Sequence, residues 1–170
     1  MKTRPGMALL LAAFGAGAQQ PPAYGCDSPE SKQLDFWVGD WELTYTGPDG
    51  KPAKSRNRIT KTLDGCVILE EFTGAPGTKL DGRSYSTYDR ATRRWRQTWV
   101  DNTASYLDFE GATVDGDMAF VRSATRAGKV THQRMVFRDV KPGSLTWLWQ
   151  SSPDDRAWTT QWEIAYRRVK

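Results

Sequence analysis

From Asp40 onward, apolar and polar residues alternate with period two, and turn residues interrupt the alternation about every ten positions. A chain patterned in this way folds into short strands with one buried face, the signature of an all-β sandwich or barrel. The pattern predicts ten strands, near 40–46, 53–63, 66–73, 83–89, 94–101, 105–112, 117–122, 129–138, 145–151 and 157–168. Turn chemistry stands between them: Gly47-Pro48-Asp49-Gly50, Asp64-Gly65, Gly74-Ala75-Pro76-Gly77, Asp115-Gly116, Pro142-Gly143 and Ser152-Pro153-Asp154-Asp155. Every link is short, so successive strands run antiparallel. An open sheet of ten strands would expose two unpaired edges, whereas an up-and-down barrel has none and, at this strand number, encloses a cavity.

Composition agrees with this reading. With 170 residues the chain is one domain long, and 15 Gly, 9 Pro, 8 Trp, 6 Tyr and 6 Phe favour strands and turns over long helices. So many large apolar side chains exclude a disordered chain. Two Cys and one His exclude zinc fingers and multi-His metal centres, so no metal site is expected.

The first eighteen residues read as an export signal. Lys2 and Arg4 form a positive n-region, Met7 to Phe14 a short apolar core, and Ala16-Gly17-Ala18 a small-residue cleavage site. A buried N-terminal helix is the alternative. The apolar run is too short to span a bilayer, which takes ~20 residues. Loss of Lys2 and Arg4 lowers the formal charge from +4 to +2, so the sequence pI of 9.1 overstates the case for an acidic partner. No second apolar segment reaches membrane length, so an exported chain, periplasmic or secreted and without membrane insertion, is expected.

Residues 19–33 are expected to form a flexible lead-in and the start of a short helix near Pro29 to Asp35, with Ser28 as N-cap, Pro29 at the first position and Glu30 in the first turn. Gly39 ends it, and residues 34–170 form the barrel. In an oxidising compartment Cys26 and Cys66 are expected to pair as a disulfide. A lipid-modified Cys26 is the rival, weakened by the Tyr24-Gly25 that precedes it and by its distance from the small-residue signal end.

Even spacing places Trp95 with Trp99, Trp147 with Trp149, and Trp158 with Trp162 on common faces of their strands. Two readings stand: the rings fill the barrel as core, or they wall an open apolar pocket. Polar residues share these faces. Gln97 lies in register between Trp95 and Trp99, Glu70 with Ile68 and Phe72, and Tyr45 with Trp41 and Leu43. Buried polar groups must pair, hold water or meet a ligand. The candidate ligand-binding set is therefore Trp41, Tyr45, Glu70, Trp95, Gln97, Trp99, Trp147 and Trp149.

Gly39-Asp40-Trp41, leading into the first strand, resembles the Gly-x-Trp signature of lipocalins and other calycin barrels, and Arg167 or Arg168 resembles the basic residue that packs on that Trp. The succession Asp35-Phe36-Trp37-Val38-Gly39-Asp40-Trp41, Gly65 to Glu70, Trp95 to Asp101 and Trp158 to Arg168 resembles a family of exported bacterial proteins of unknown function with a calycin-like barrel, over roughly Leu34 to Arg168. The resemblance implies fold and compartment and carries no ligand or catalytic residue. Nitrobindin, a ten-stranded calycin, holds haem through a His. Its glycine-rich motif after the first Trp is missing here, where Glu42-Leu43-Thr44-Tyr45 stands, and the one His, His132, shares a polar face with Arg134, Val136 and Arg138. A solvated His and no cofactor are the expectation.

An enzyme is the second class considered. A nucleophilic triad would have to recruit His132, and no Gly-x-Ser-x-Gly elbow is present. Glu70-Glu71 sends one acid to each side of its strand, so one could enter the barrel with a raised pKa and serve an isomerase, cyclase or hydratase; Asp108 and Glu110 share a face with Tyr106. Arg90, Arg93, Arg94 and Arg96 crowd one hairpin, but Asp89 and Asp101 flank them and the charge is too nearly balanced for a nucleic-acid partner. The expectation is an exported binding protein for a small, partly apolar ligand. An enzyme using an interior carboxylate and a filled-barrel interaction module are the alternatives.

Overall fold

The computed structural model describes residues 25–78 and 80–169. The predicted export signal, with the chain up to residue 24, lies outside the described residues. Ten strands follow one another: β1 (Gly39–Thr46), β2 (Pro52–Thr62), β3 (Val67–Thr73), β4 (Asp81–Asp89), β5 (Arg94–Asp101), β6 (Tyr106–Val114), β7 (Asp117–Arg126), β8 (Lys129–Lys141), β9 (Ser144–Ser152) and β10 (Thr159–Arg168). Each pairs antiparallel with its neighbours in sequence, and β1 pairs with β10 from Trp41↔Arg168 to Thr44↔Ala165, closing the barrel. This is the all-β, ten-stranded antiparallel fold that the alternation predicts.

The helical segment before β1 takes the form of two 3-10 turns, Glu30–Lys32 and Asp35–Trp37. Pro29 rather than Ser28 stands at the N-cap of the first turn, one residue later than expected, and Ser28 Oγ, just before it, accepts the Ser31 N–H at 3.3 Å. The turns stay short because Leu34 leaves helical geometry between them, at φ −101° and ψ 7°, and is itself wholly buried. They plug one end of the barrel. Trp37 packs edge-on against Phe137 at 5.1 Å, the Trp41 Nε1–H donates to the Trp37 carbonyl at 2.7 Å, and the Trp95 Nε1–H donates to Gln33 Oε1 at 3.1 Å. A Cys26–Cys66 disulfide ties the plug to the turn after β2.

Arg168 closes the same end, its guanidinium 4.2 Å above the Trp41 ring and donating to the carbonyls of Phe36 and Val38. That placement requires glycine at 39. The residue has φ +140°, and a Cβ there would lie 2.1 Å from Arg168 Nη1.

One expectation about side-chain direction fails. Trp158 and Trp162 do not share a face, because the β9–β10 register shifts between Thr160 and Trp162, and an irregularity of that kind inverts the alternation before it. Trp162 points inward against Tyr45 at 5.0 Å. Trp158 precedes β10 and carries the Arg134 guanidinium 3.9 Å above its ring.

Candidate ligand-binding site

The strands stagger so that inward side chains form two zones along the barrel axis. At the plugged end Leu34, Trp37, Trp41, Ile59, Ile68 and Phe137 are almost wholly buried in one packed core. Toward the other end the rings surround open space. A cavity of ≈ 220 Å³ is lined by Phe72, Trp99, Phe109, Trp147, Trp149 and Trp162 together with Leu80, Leu107, Met135 and Ile164, and with the polar groups Glu70, Gln97, Asp101 and Tyr166.

Each wall has a local cause. Trp147 and Trp149 are two apart on β9, so both point inward, and their rings lie parallel to within 8° with centroids 6.4 Å apart. Trp162 meets Trp147 edge-on at 5.9 Å, and Phe109 meets Trp149 at 5.9 Å. Trp99 lies over the backbone of Gly82, where an added Cβ would fall 2.0 Å from its Cζ2, and the Trp99 Nε1–H donates to Asp101 Oδ2 at 2.9 Å. Glycine at 82 is thus what lets a six-membered ring lie flat against β4.

Of the eight residues singled out from the sequence, the cavity brings together Glu70, Gln97, Trp99, Trp147 and Trp149. Trp41 and Trp95 belong to the plugged end, where both indole N–H groups are spent on the plug. Tyr45 packs on Trp162, and its hydroxyl accepts the Ala75 N–H at 3.3 Å. The filled-barrel and open-barrel readings each describe one half of the molecule.

The polar groups have defined partners. Glu70 enters from the middle of β3; Oε1 accepts from Asn57 Nδ2 at 2.7 Å and Oε2 from Ser84 Oγ at 2.6 Å. Asn57 Nδ2 also donates to the Tyr166 hydroxyl at 3.1 Å. Burial pushes the Glu70 carboxyl above its ordinary range, against the hydrogen bonds from Ser84 and Asn57 and the positive charge of Arg83. Burial likewise raises Tyr166, and the neighbouring Glu70 charge adds to it. Gln97 is 3 % exposed; its amide donates to Ser86 Oγ at 2.8 Å, while its Oε1 has no partner. Asp101 sits at the mouth. Desolvation pushes its carboxyl up, but hydrogen bonds from the Thr103 hydroxyl, the Trp99 indole and the backbone N–H groups of Thr103 and Ser105 outweigh that and hold it at about 2.

The remaining charged candidates face outward. Glu110 bridges Arg94 and Arg96, each at 2.7 Å, and the Asp108 side chain is 76 % exposed. His132 sits beside Ser123, its Nδ1 3.1 Å from Oγ, in the register that alternates with the inward Met135 and Phe137. Beside the cavity, the β6–β7 pairing ends at Glu110↔Val121, so the strands part there. Arg122 occupies the gap, donating to Gln133 Oε1 at 2.6 Å with its guanidinium 5.7 Å from the Phe109 centroid. Among the described residues, no group of three or more His, Cys, Asp or Glu could hold a metal ion, and no helix is long and apolar enough to cross a membrane.

Chemically, the site can take a compact ring compound. An apolar cavity of about 150 Å³ accommodates benzene, so ≈ 220 Å³ suits one or two fused rings. Its polar groups could orient one end of such a molecule. A closed antiparallel β-barrel, plugged at one end and holding an aromatic-lined cavity toward the other, is the class the fold and site define. The chain belongs to the family described as "Protein of unknown function (DUF1579)", whose match spans residues 27–168. No curated protein matches the chain.

Proposed function

We propose that this protein binds and carries a compact, largely apolar ring compound in the aromatic half of a calycin-type barrel, outside the cytoplasm. The observation that carries the proposal is the division of the interior. At one end Leu34, Trp37, Trp41 and Phe137 are almost wholly buried, while toward the other ≈ 220 Å³ is bounded by seven aromatic rings. Trp99 over Gly82, the stacked pair Trp147 and Trp149, and the edge-on contacts of Phe109 and Trp162 with that pair set the rings around this space. Carriage is favoured over catalysis because Glu70 is held by two donors and, among the described residues, the cavity wall adds no thiol or histidine and one further carboxylate, Asp101 at the mouth, held at about 2 by its hydrogen bonds. Export is supported by the Cys26–Cys66 disulfide, which an oxidising compartment would maintain, and by the signal-like pattern over residues 1–18, after which the mature chain would begin near Gln19.

Calorimetry and thermal melts with one- and two-ring aromatic alcohols, from 2-phenylethanol to 2-naphthaleneethanol, test the proposal. At least one is expected to bind saturably and to raise the melting temperature, by about 2.7 kcal/mol worth of stability at a hundredfold excess over its Kd. The absence of any response across the series overturns it.

A further inference from the structure

The cavity's charges and unspent hydrogen-bonding capacity say which end of a ligand goes in, and of what kind. We propose that the ligand carries a protonated primary or secondary amine, which docks between Glu70 and the Gln97 side-chain carbonyl while its ring lies among the tryptophans. This rests on the carriage reading above and adds the chemical class of the cargo.

Four observations converge. First, among the described residues the lining holds two carboxylates, Glu70 within and Asp101 at the mouth, and no Lys, Arg or His. The cations close to it are engaged elsewhere. Arg122 is bonded to its β8 neighbour Gln133 and lies 4.0 Å from Asp108 on β6, and Arg83 donates to the carbonyls of Phe72 and Gly82 and pairs with Glu71 on the outer wall. Second, Glu70 has no cationic partner: its two protein contacts, Asn57 and Ser84, are neutral donors, each reaching one oxygen. A carboxylate oxygen accepts more than one hydrogen bond, so the carboxylate keeps capacity on its cavity side. Third, Gln97 is nine-tenths buried and its Oε1, an acceptor only, is left without a donor. Leaving such an acceptor unpaired is costly, and a ligand N–H would satisfy it. Fourth, the walls include four indoles and two phenyl rings, whose faces attract a cation and repel an anion. An anionic ligand would meet two carboxylates and a lone carbonyl oxygen; a neutral alcohol would satisfy one acceptor; only an ammonium group offers both charge and several donors.

Three probes of one body and different head groups decide the matter: 2-phenylethylamine, 2-phenylethanol and phenylacetate, titrated calorimetrically into the disulfide-intact protein at neutral pH. The amine is expected to bind about tenfold or more tighter than the alcohol, and phenylacetate weakest. In Glu70→Gln the preference for the amine over the alcohol should fall to about threefold or less. The order among the three probes in the wild-type protein needs no variant, so a Glu70→Gln chain that fails to fold does not remove the test. Alcohol binding as tight as amine binding, or a preference that survives Glu70→Gln, overturns the amine assignment and leaves the carriage reading standing. Failure of all three, together with the larger aromatic alcohols, overturns the carriage reading itself.

Discussion

Two glycines placed alike in the barrel wall, one beside open space and one beside packed core, give a sharp test of the divided interior. An alanine Cβ at Gly82 would fall 2.0 Å from Trp99 Cζ2, and one at Gly111 would fall 2.5 Å from Trp95 Cβ and 3.3 Å from its Cα. Neither glycine has a positive φ, so alanine costs nothing in backbone conformation at either position. At 82 the clash is with the far end of a ring that borders the cavity and can swing into it. What is lost is chiefly the Trp99–Asp101 hydrogen bond and some contact with Phe72, about 1–2 kcal/mol. At 111 the clash is with the root of a side chain that is 4 % exposed and pinned to Gln33, so strand β6 must shift, at about 3 kcal/mol. Urea unfolding of both variants measures the difference. Gly82→Ala should also lose most ligand binding, because the displaced ring fills the cavity, whereas Gly111→Ala should bind normally while folded. A Gly82→Ala variant as unstable as Gly111→Ala, or one that still binds ligand normally, would refute the claim that Trp99 borders usable space.

Other consequences can be measured on the same protein. In the folded state Glu70 holds its proton more tightly than in the unfolded chain, so no penalty exists below the ordinary carboxylate range; stability should fall as pH rises from about 4.5 through the raised folded value and then level off, and Glu70→Gln should remove this decline in melts taken between pH 4 and 8. Asp101 works in the opposite sense. Its depressed carboxyl contributes stability above the ordinary range that is lost as pH falls from about 4 toward 2, so Asp101→Asn should flatten the acid limb of the same curve. Reducing the Cys26–Cys66 bond, which closes a loop of 40 residues, should cost about 4 kcal/mol in the chain-entropy account, read as a drop of about 10 °C in melting temperature. Gly39→Ala should cost about 2–3 kcal/mol and expose Trp41 to quenchers, since Arg168 cannot stay above the ring.

How far this was legible in the sequence follows from what a period of two encodes. Alternation reports whether a side chain faces in or out, and it placed all ten strands with their ends a few residues off. It is silent on height along the barrel axis, which depends on how far each strand is staggered against the next. For that reason Trp95 and Trp99, indistinguishable by pattern, fall into different zones: Trp95 donates to the plug, and Trp99 walls the cavity. Trp41, in register with Leu43 and Tyr45, likewise donates to the plug and lies outside the cavity lining. Trp158 was misread because an irregularity in β10 has no signal in a stretch of Trp, Thr and Gln. Phe109, Trp162, Tyr166 and Asp101 were missed as site residues. Phe109 alternates in register with Leu107, and Tyr166 with Ile164, so their inward direction was readable; that they converge on Glu70 across the barrel was not. The burial of Glu70 was readable, because an acid in register with Ile68 and Phe72 interrupts an apolar face and demands partners, here Asn57 and Ser84.

The tryptophan indole N–H resonances give the most direct measurement of the central claim. On titration with a one-ring aromatic amine or alcohol, the signals of Trp99, Trp147, Trp149 and Trp162 should shift together and saturably, while those of Trp37, Trp41 and Trp95, sealed in the plugged end, and of Trp158, under Arg134, should stay in place. Shifts spread over both sets, or confined to Trp158, would contradict a ligand held in the aromatic half of the barrel.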